Sequence, residues 1–262
     1  MKRIKVHKAK ILLIVVLLSG TLCVAKDEEK KLSITLDLTY RSKWITKGSE
    51  GYGSDPALYK TIDIDLWDTG FGLGVTHQEA TNSGWVDKER LNYDLYYKNS
   101  LLDDTAYQTK YKIRWRYKNY PNRPRDSKNS QEWQGKFSFP KILPVKNLFP
   151  YYTVYYEYPV GSDYDNHDKT GWLHIFGLGY DLNIPELSNP LRLTADISYR
   201  DGLGGGTKDH DWSHATLSIS TKFKLADNLS FVPAVYHQIS MDDSTCEENS
   251  ITYCHLSLKY KL

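Results

Sequence analysis

The stretch from Tyr107 to Tyr117 constrains this chain most. Tyr107, Thr109, Tyr111, Ile113, Trp115 and Tyr117 alternate there with Gln108, Lys110, Lys112, Arg114, Arg116 and Lys118. Successive side chains of a β-strand point to opposite faces, so the segment builds one aromatic, apolar face and one cationic face. A row of five cations behind a broad Tyr/Trp face suits lipid on one side and water on the other, the pattern of a transmembrane β-barrel strand.

The same period of two recurs along the chain. Besides the ladder, alternating segments fall near 32–42, 58–68, 71–80, 90–99, 131–139, 151–160, 171–182, 191–201, 213–225, 229–239 and 251–262. Helical spacing at i, i+3, i+4 is nowhere sustained at comparable length. The expected fold is all-β, a single antiparallel transmembrane barrel of about 12 strands. The connections differ in character. Asp68-Thr69-Gly70 and Ala226-Asp227-Asn228 read as tight turns, and the Pro-containing links 140–150 and 183–190 fall on the same side. The links 43–57, 81–89, 119–130, 161–170, 201–212 and 240–249 are longer and polar. An even strand number then puts both ends of the barrel on the short-turn side, as in outer-membrane barrels with periplasmic turns and long outer loops. The 21 Tyr among 262 residues suit aromatic girdles at two membrane interfaces.

Lys2, Arg3, Lys5, Lys8 and Lys10 precede an apolar run from Ile11 to Leu18 and small residues at Ser19, Gly20 and Ala25. This reads as a secretory signal peptide over 1–25, too short between its charges for a spanning helix, leaving 26–262 as the barrel. Its removal changes the balance from 34 Lys and Arg against 32 Asp and Glu to 29 against 32. That balance carries no basic excess for nucleic acid. The expected location is the bacterial outer membrane, with its lipid and small hydrophilic solutes as partners; association into homo-oligomers stays open.

The stretch from Leu36 to Thr81 resembles the opening of the TorF-type porins of Gram-negative bacteria. The outline rests on Tyr40, Gly48, Pro56, Ala57, Gly70 and Phe71, with Lys47-Gly48 where that family carries Arg-Gly. It spans about a fifth of the chain. The strand count is also similar to that of the small oligogalacturonate-type porins, whose lumen is basic. Both resemblances imply passive diffusion of small hydrophilic solutes, without a cofactor.

Parity sets the expected pore lining: Lys110, Lys112, Arg114, Arg116 and Lys118, joined by Lys136, Arg192 and Arg200, with Asp37, Asp63, Asp65, Asp94 and Asp196. Basic and acidic groups on opposite walls would set a transverse field, and the unbroken basic row points to a mild anion preference. The alternatives are a non-conducting structural or adhesive barrel and, further off, an outer-membrane lipid hydrolase. Bulky residues turned inward would mark the closed barrel, and Tyr59, Trp67, Tyr96 and Tyr155 are the candidates. A hydrolase would draw on Asp209 to His214, which bring Ser, His and Asp together but lack a nucleophile elbow. The loop 163–168 gathers oxygen ligands and His167 without the spacing of a calcium loop, so no metal is expected. Cys246 and Cys254 span the last long loop and are the expected disulfide of an oxidising compartment.

Overall fold

The structure, a computed structural model, describes residues 32–51, 55–81, 88–122, 129–160, 170–203, 211–242 and 250–262. The signal segment 1–25 lies outside the described residues. Among those described there are twelve long strands: β1 (Ser33–Arg41), β4 (Ala57–Asp65), β5 (Phe71–Ala80), β6 (Glu89–Leu101), β7 (Thr109–Asn119), β8 (Ser130–Ser138), β9 (Leu148–Pro159), β10 (Gly171–Leu182), β11 (Leu191–Asp201), β12 (Asp211–Ser220), β14 (Leu229–Ser240) and β15 (Ser250–Lys261). Three two-residue strands complete the set: β2 (Ile45–Thr46), β3 (Ser49–Glu50) and β13 (Phe223–Lys224).

Each long strand pairs antiparallel with its sequence neighbours, and β1 pairs with β15 to close the sheet. Closure satisfies every strand edge inside the sheet, which hydrocarbon requires because it offers no hydrogen bonds to an open edge. The outward positions carry Leu36, Leu38, Ile62, Val75, Leu95, Phe176, Leu178, Leu217, Leu256 and Leu258, all exposed. Inward positions are polar, and Gln78, Arg90, Asn92, Lys118, Glu132, Arg200 and Gln238 are buried. A water-soluble fold has the reverse arrangement, so this is a membrane-spanning barrel.

The short connections are tight because their residues accept left-handed backbone. Trp67 and Asp68 have φ of 51° and 55° in the turn from β4 to β5, where the Thr69 amide donates to the Leu66 carbonyl at 3.0 Å. Trp67 therefore belongs to a turn, not to the inward wall. In the segment expected over 213–225 the strand stops at Ser220, and Phe223–Lys224 form β13, which turns back through 225–229 against β14. Cys254 is a free thiol on the outward face of β15, between Tyr253 and His255, which pack inside. Cys246 lies outside the described residues.

Candidate pore interior

Eleven residues after β1 starts, the chain leaves the wall and turns inward. The hairpin β2–β3 (paired through Ile45 with Glu50 and Thr46 with Ser49) occupies the interior at the long-connection end. Its apolar residues find the few apolar positions there. Trp44 packs on Tyr59, Ala57 and Ala80, and Ile45 packs on Ile251 and Tyr253. The turn between the two short strands uses Lys47 (φ 54°) and Gly48 (φ 79°). A Cβ at residue 48 would lie 2.2 Å from the His214 ring, so only glycine lets the turn approach this wall.

Backbone groups of that turn are caught by long polar side chains from the far wall. Arg200 donates to the Lys47 carbonyl and to the Ser49 hydroxyl, each at 2.7 Å, and the Gln238 amide donates to the Gly48 carbonyl at 2.8 Å. On the opposite side the Lys47 ammonium enters an ionic cluster. Its Nζ lies 2.6 Å from Glu132 Oε2 and 2.5 Å from Glu157 Oε2, while Lys118 Nζ meets the same two carboxylates at 2.8 Å each. Arg114 donates to Glu132 Oε1 at 2.9 Å, and Ser130 to Glu157 Oε1 at 2.6 Å. Burial alone would pull the Lys47 ammonium down, but the two carboxylates outweigh it and hold it above the ordinary lysine range. It stays charged at any pH the cell offers.

All the sequence-selected charges lie on the inward parity of their strands, and they divide into distinct environments. Arg116 holds Asp94 through two hydrogen bonds of 2.6 and 2.7 Å across the β6–β7 register. The acids of β4 and β6 thus adjoin the basic row; the expected arrangement of basic and acidic groups on opposite walls does not hold for them. Adjacent strands bring opposite charges within contact distance, and the Coulomb gain there exceeds any gain across the barrel. Asp196 alone of these acids sits on β11, where it accepts from the Tyr151 hydroxyl at 2.7 Å. Lys118 and Arg200 are buried as clasps of the hairpin. Arg192 pairs with Asp181, Lys98 with Asp65 and Lys259 with Asp37, all toward the short-turn end. Lys112 and Lys136 face one another across β7 and β8, and neither makes an ion pair among the described residues. Lys112 Nζ lies 3.5 Å above the Tyr96 ring, a cation–π contact in place of an ion pair.

Below the hairpin lies a cavity of about 560 Å³, lined by Asp63, Asp94, Lys112, Arg114, Lys136 and Tyr155 and roofed by Ile45, Thr46 and Lys47. Three bulky rings that project inward are kept out of it. Tyr96 lies on Gly72, Tyr151 on Gly177 and Phe149 on Gly179, each so close that a Cβ on the glycine would fall 2.1 to 2.4 Å from the ring. The rings are therefore flat against the wall instead of crossing the lumen. The Tyr96 hydroxyl sits between Asp63 and Asp65, 2.8 and 2.7 Å from their oxygens, which fixes its tilt. Of the suspected closing residues, Tyr59 is buried behind the hairpin, Tyr96 lies flat, and Tyr155 faces Lys47 at 5.0 Å.

Glu132, Glu157, Arg90 and Gln238 are not among the residues the sequence pattern singles out, and Lys47 enters there only within the outline of the resemblance, not as a lumen residue. Parity alone selects Glu132, beside outward Trp133, and Glu157, between outward Tyr156 and Tyr158. Nothing in the local pattern marks Lys47, whose role comes from the loop turning inward. Ser213 and His214 both face the interior because β12 carries a bulge there: Ser198 pairs with His214 and Tyr199 with Trp212, leaving Ser213 as the extra residue. The Ser213 hydroxyl and His214 Nδ1 are 2.8 Å apart, and both side chains are buried, with the His214 ring against Gly48. Asp211 is exposed and accepts from the Trp212 amide. Asp209 and His210, and the loop 163–168, lie outside the described residues.

No family model matches the chain, and no curated protein matches it. The TorF-type resemblance therefore has no family model behind it. Among solved structures the fold is similar to a KdgM porin in complex with disordered oligogalacturonate, at 10% identity over 87% of this chain and 98% of that one, with a TM-score of 0.49. It is similar also to an outer membrane channel from Pseudomonas putida F1, at 8% identity over 88% and 94% with a TM-score of 0.47. Outer membrane phospholipase A from Escherichia coli matches at 13% identity over 92% and 96%, with a TM-score of 0.45. The functional reading rests on the chain's own residues.

Proposed function

We propose that this chain is an outer-membrane channel for passive diffusion of small hydrophilic solutes, with a mild anion preference and a constriction formed by the hairpin β2–β3. The observation that carries the reading is the pair Lys112 and Lys136, two cations that make no ion pair among the described residues, on the wall of a polar cavity whose bulky rings are laid flat. Cations that line a narrow pore without counter-charge lower the barrier for anions and raise it for cations. The polar atoms around the hairpin support a wet interior: Asn92 and the Ser198 hydroxyl are buried without hydrogen-bond partners among the described residues. Passive passage asks for no catalytic group and no cofactor.

The test is single-channel conductance and reversal potential in a salt gradient, with the chain refolded into a planar bilayer. Unitary steps with anion selectivity that falls in Lys112→Gln/Lys136→Gln support the reading. A folded, inserted barrel that never conducts rejects it. A second reading, a non-conducting barrel whose long loops bind a surface partner, draws on the buried cluster of Lys47, Lys118, Glu132 and Glu157, which ties the hairpin to the wall from several sides. The same bilayer experiment separates the two.

A further inference from the structure

On the outward wall, polar groups gather where β4, β5 and β6 approach the long-connection rim. On β5 the outward series runs Phe71, Leu73, Val75 and then His77 and Glu79, so the apolar band ends at Val75 and polar groups occupy the long-connection rim. Across the register, Lys60 of β4 stands opposite His77, and Glu89 of β6 stands directly opposite Glu79. Two carboxylates facing each other in adjacent strands repel, and such a pair is destabilising unless a cation lies between them. Lys60 Nζ is 3.3 Å and Lys88 Nζ 3.9 Å from the Glu79 carboxylate, exposed contacts of the kind that contribute little. Among the described residues, Glu89 accepts a hydrogen bond from the Asn122 amide at 3.4 Å and makes no ion pair. The donor atoms of His77, Glu79 and Glu89 lie within 4.8 Å of one another.

We infer that His77, Glu79 and Glu89 form a divalent-cation site on the outer rim of the barrel, distinct from the pore. The two-residue spacing of His77 and Glu79 puts both on one face of β5, and the register supplies the third donor from β6. Together they give one imidazole nitrogen and two carboxylates on a single side of the ion, with the remaining positions open to water or to oxygens from the headgroup layer. That donor set suits Zn²⁺ or a similar borderline metal better than Ca²⁺, which prefers an all-oxygen shell of higher coordination number. Binding neutralises the Glu79–Glu89 repulsion and releases Lys60 and Lys88.

The experiment is calorimetric titration of Zn²⁺ alone into the refolded chain in detergent, with the folded state followed by circular dichroism. One saturable site is expected, weakened at least tenfold in Glu89→Gln and in His77→Gln, and strengthened in Lys60→Gln/Lys88→Gln because the competing ammonium groups are gone. All these changes are on the outer rim, where neutral glutamine keeps the strand and the pore intact. Absence of saturable binding up to millimolar Zn²⁺ overturns the inference. So does binding that survives both single variants, which would place the ion at another histidine. The pore conductance of Glu89→Gln should equal that of the unmodified chain, so this site and the channel reading fail or stand separately.

Discussion

Replacement of Lys47 by methionine tests whether the hairpin is a constriction held by charge. The substitution keeps the length and apolar stem of the side chain and deletes the ammonium that bridges Glu132 and Glu157. Removing one partner of a buried pair typically costs roughly 3–5 kcal/mol, because the other charge is left uncompensated. Here neither carboxylate is orphaned: Lys118 still meets both, Arg114 meets Glu132 and Ser130 meets Glu157. The cost therefore falls at or below the lower end, about 3 kcal/mol, which multiplies the undocked population of the hairpin about a hundredfold. The docked state keeps the hydrogen bonds from Arg200 and Gln238 and the packing of Ile45 on Ile251, so the variant still folds and closes most of the time. In a planar bilayer the expected result is new transitions to a larger unitary conductance, absent or rare in the unmodified chain. Locking the hairpin with an oxidised Ile45→Cys/Ile251→Cys pair in the same background should suppress them. Conductance and gating of Lys47→Met identical to those of the unmodified chain would refute the argument, because they would mean that the hairpin is fixed by packing and backbone hydrogen bonds alone.

Other consequences can be measured with the same preparation. Neutralising Arg116 leaves Asp94 only its longer contact to Arg114, 3.6 Å, so Arg116→Gln should shift the reversal potential toward cations, and Arg116→Gln/Asp94→Asn should restore most of it. Gly177→Ala puts a Cβ where the Tyr151 ring lies, pushes that ring toward the axis, and should lower the unitary conductance while costing roughly 1–3 kcal/mol in urea unfolding. Leu95→Arg places a charge on the outward face of β6 and should destabilise the folded barrel in lipid by roughly 2–4 kcal/mol, read from the same unfolding midpoint. Ser213→Ala should leave any lipid hydrolysis in the preparation unchanged, since that hydroxyl is buried beneath the hairpin; loss of hydrolysis would revive the enzyme reading.

The wall was legible because a strand repeats every two residues and lipid tolerates few exceptions. From Tyr111 to Tyr117 each outward residue had to be apolar or aromatic, so a single parity choice oriented the whole of β7, and the register carried that choice to Asp94 and Glu132 on its neighbours. The strand ends were less legible at β12, where Ser218, Ser220 and Lys222 continue the alternation past the point at which the chain turns. The hairpin was not legible at all. Lys43 to Gly51 reads as a polar outer loop, with Trp44 and Ile45 as its sole apolar residues, and the ion pairs that draw Lys47 inward come from β8 and β9, about a hundred residues away along the chain. A loop's direction is decided by such distant partners and by Gly48 meeting His214, neither of which leaves a periodic trace. The lumen's charge balance follows from the same fact. By sequence, Arg114, Arg116 and Lys118 belong with Lys112 in one uniform row, but the register gives the first three acidic partners and leaves Lys112 and Lys136 exposed to the cavity. Any selectivity the barrel has follows from the inward charges left without an ion pair among the described residues, Lys110, Lys112 and Lys136 against Asp63 and Asp196 among them, not from the count of basic residues.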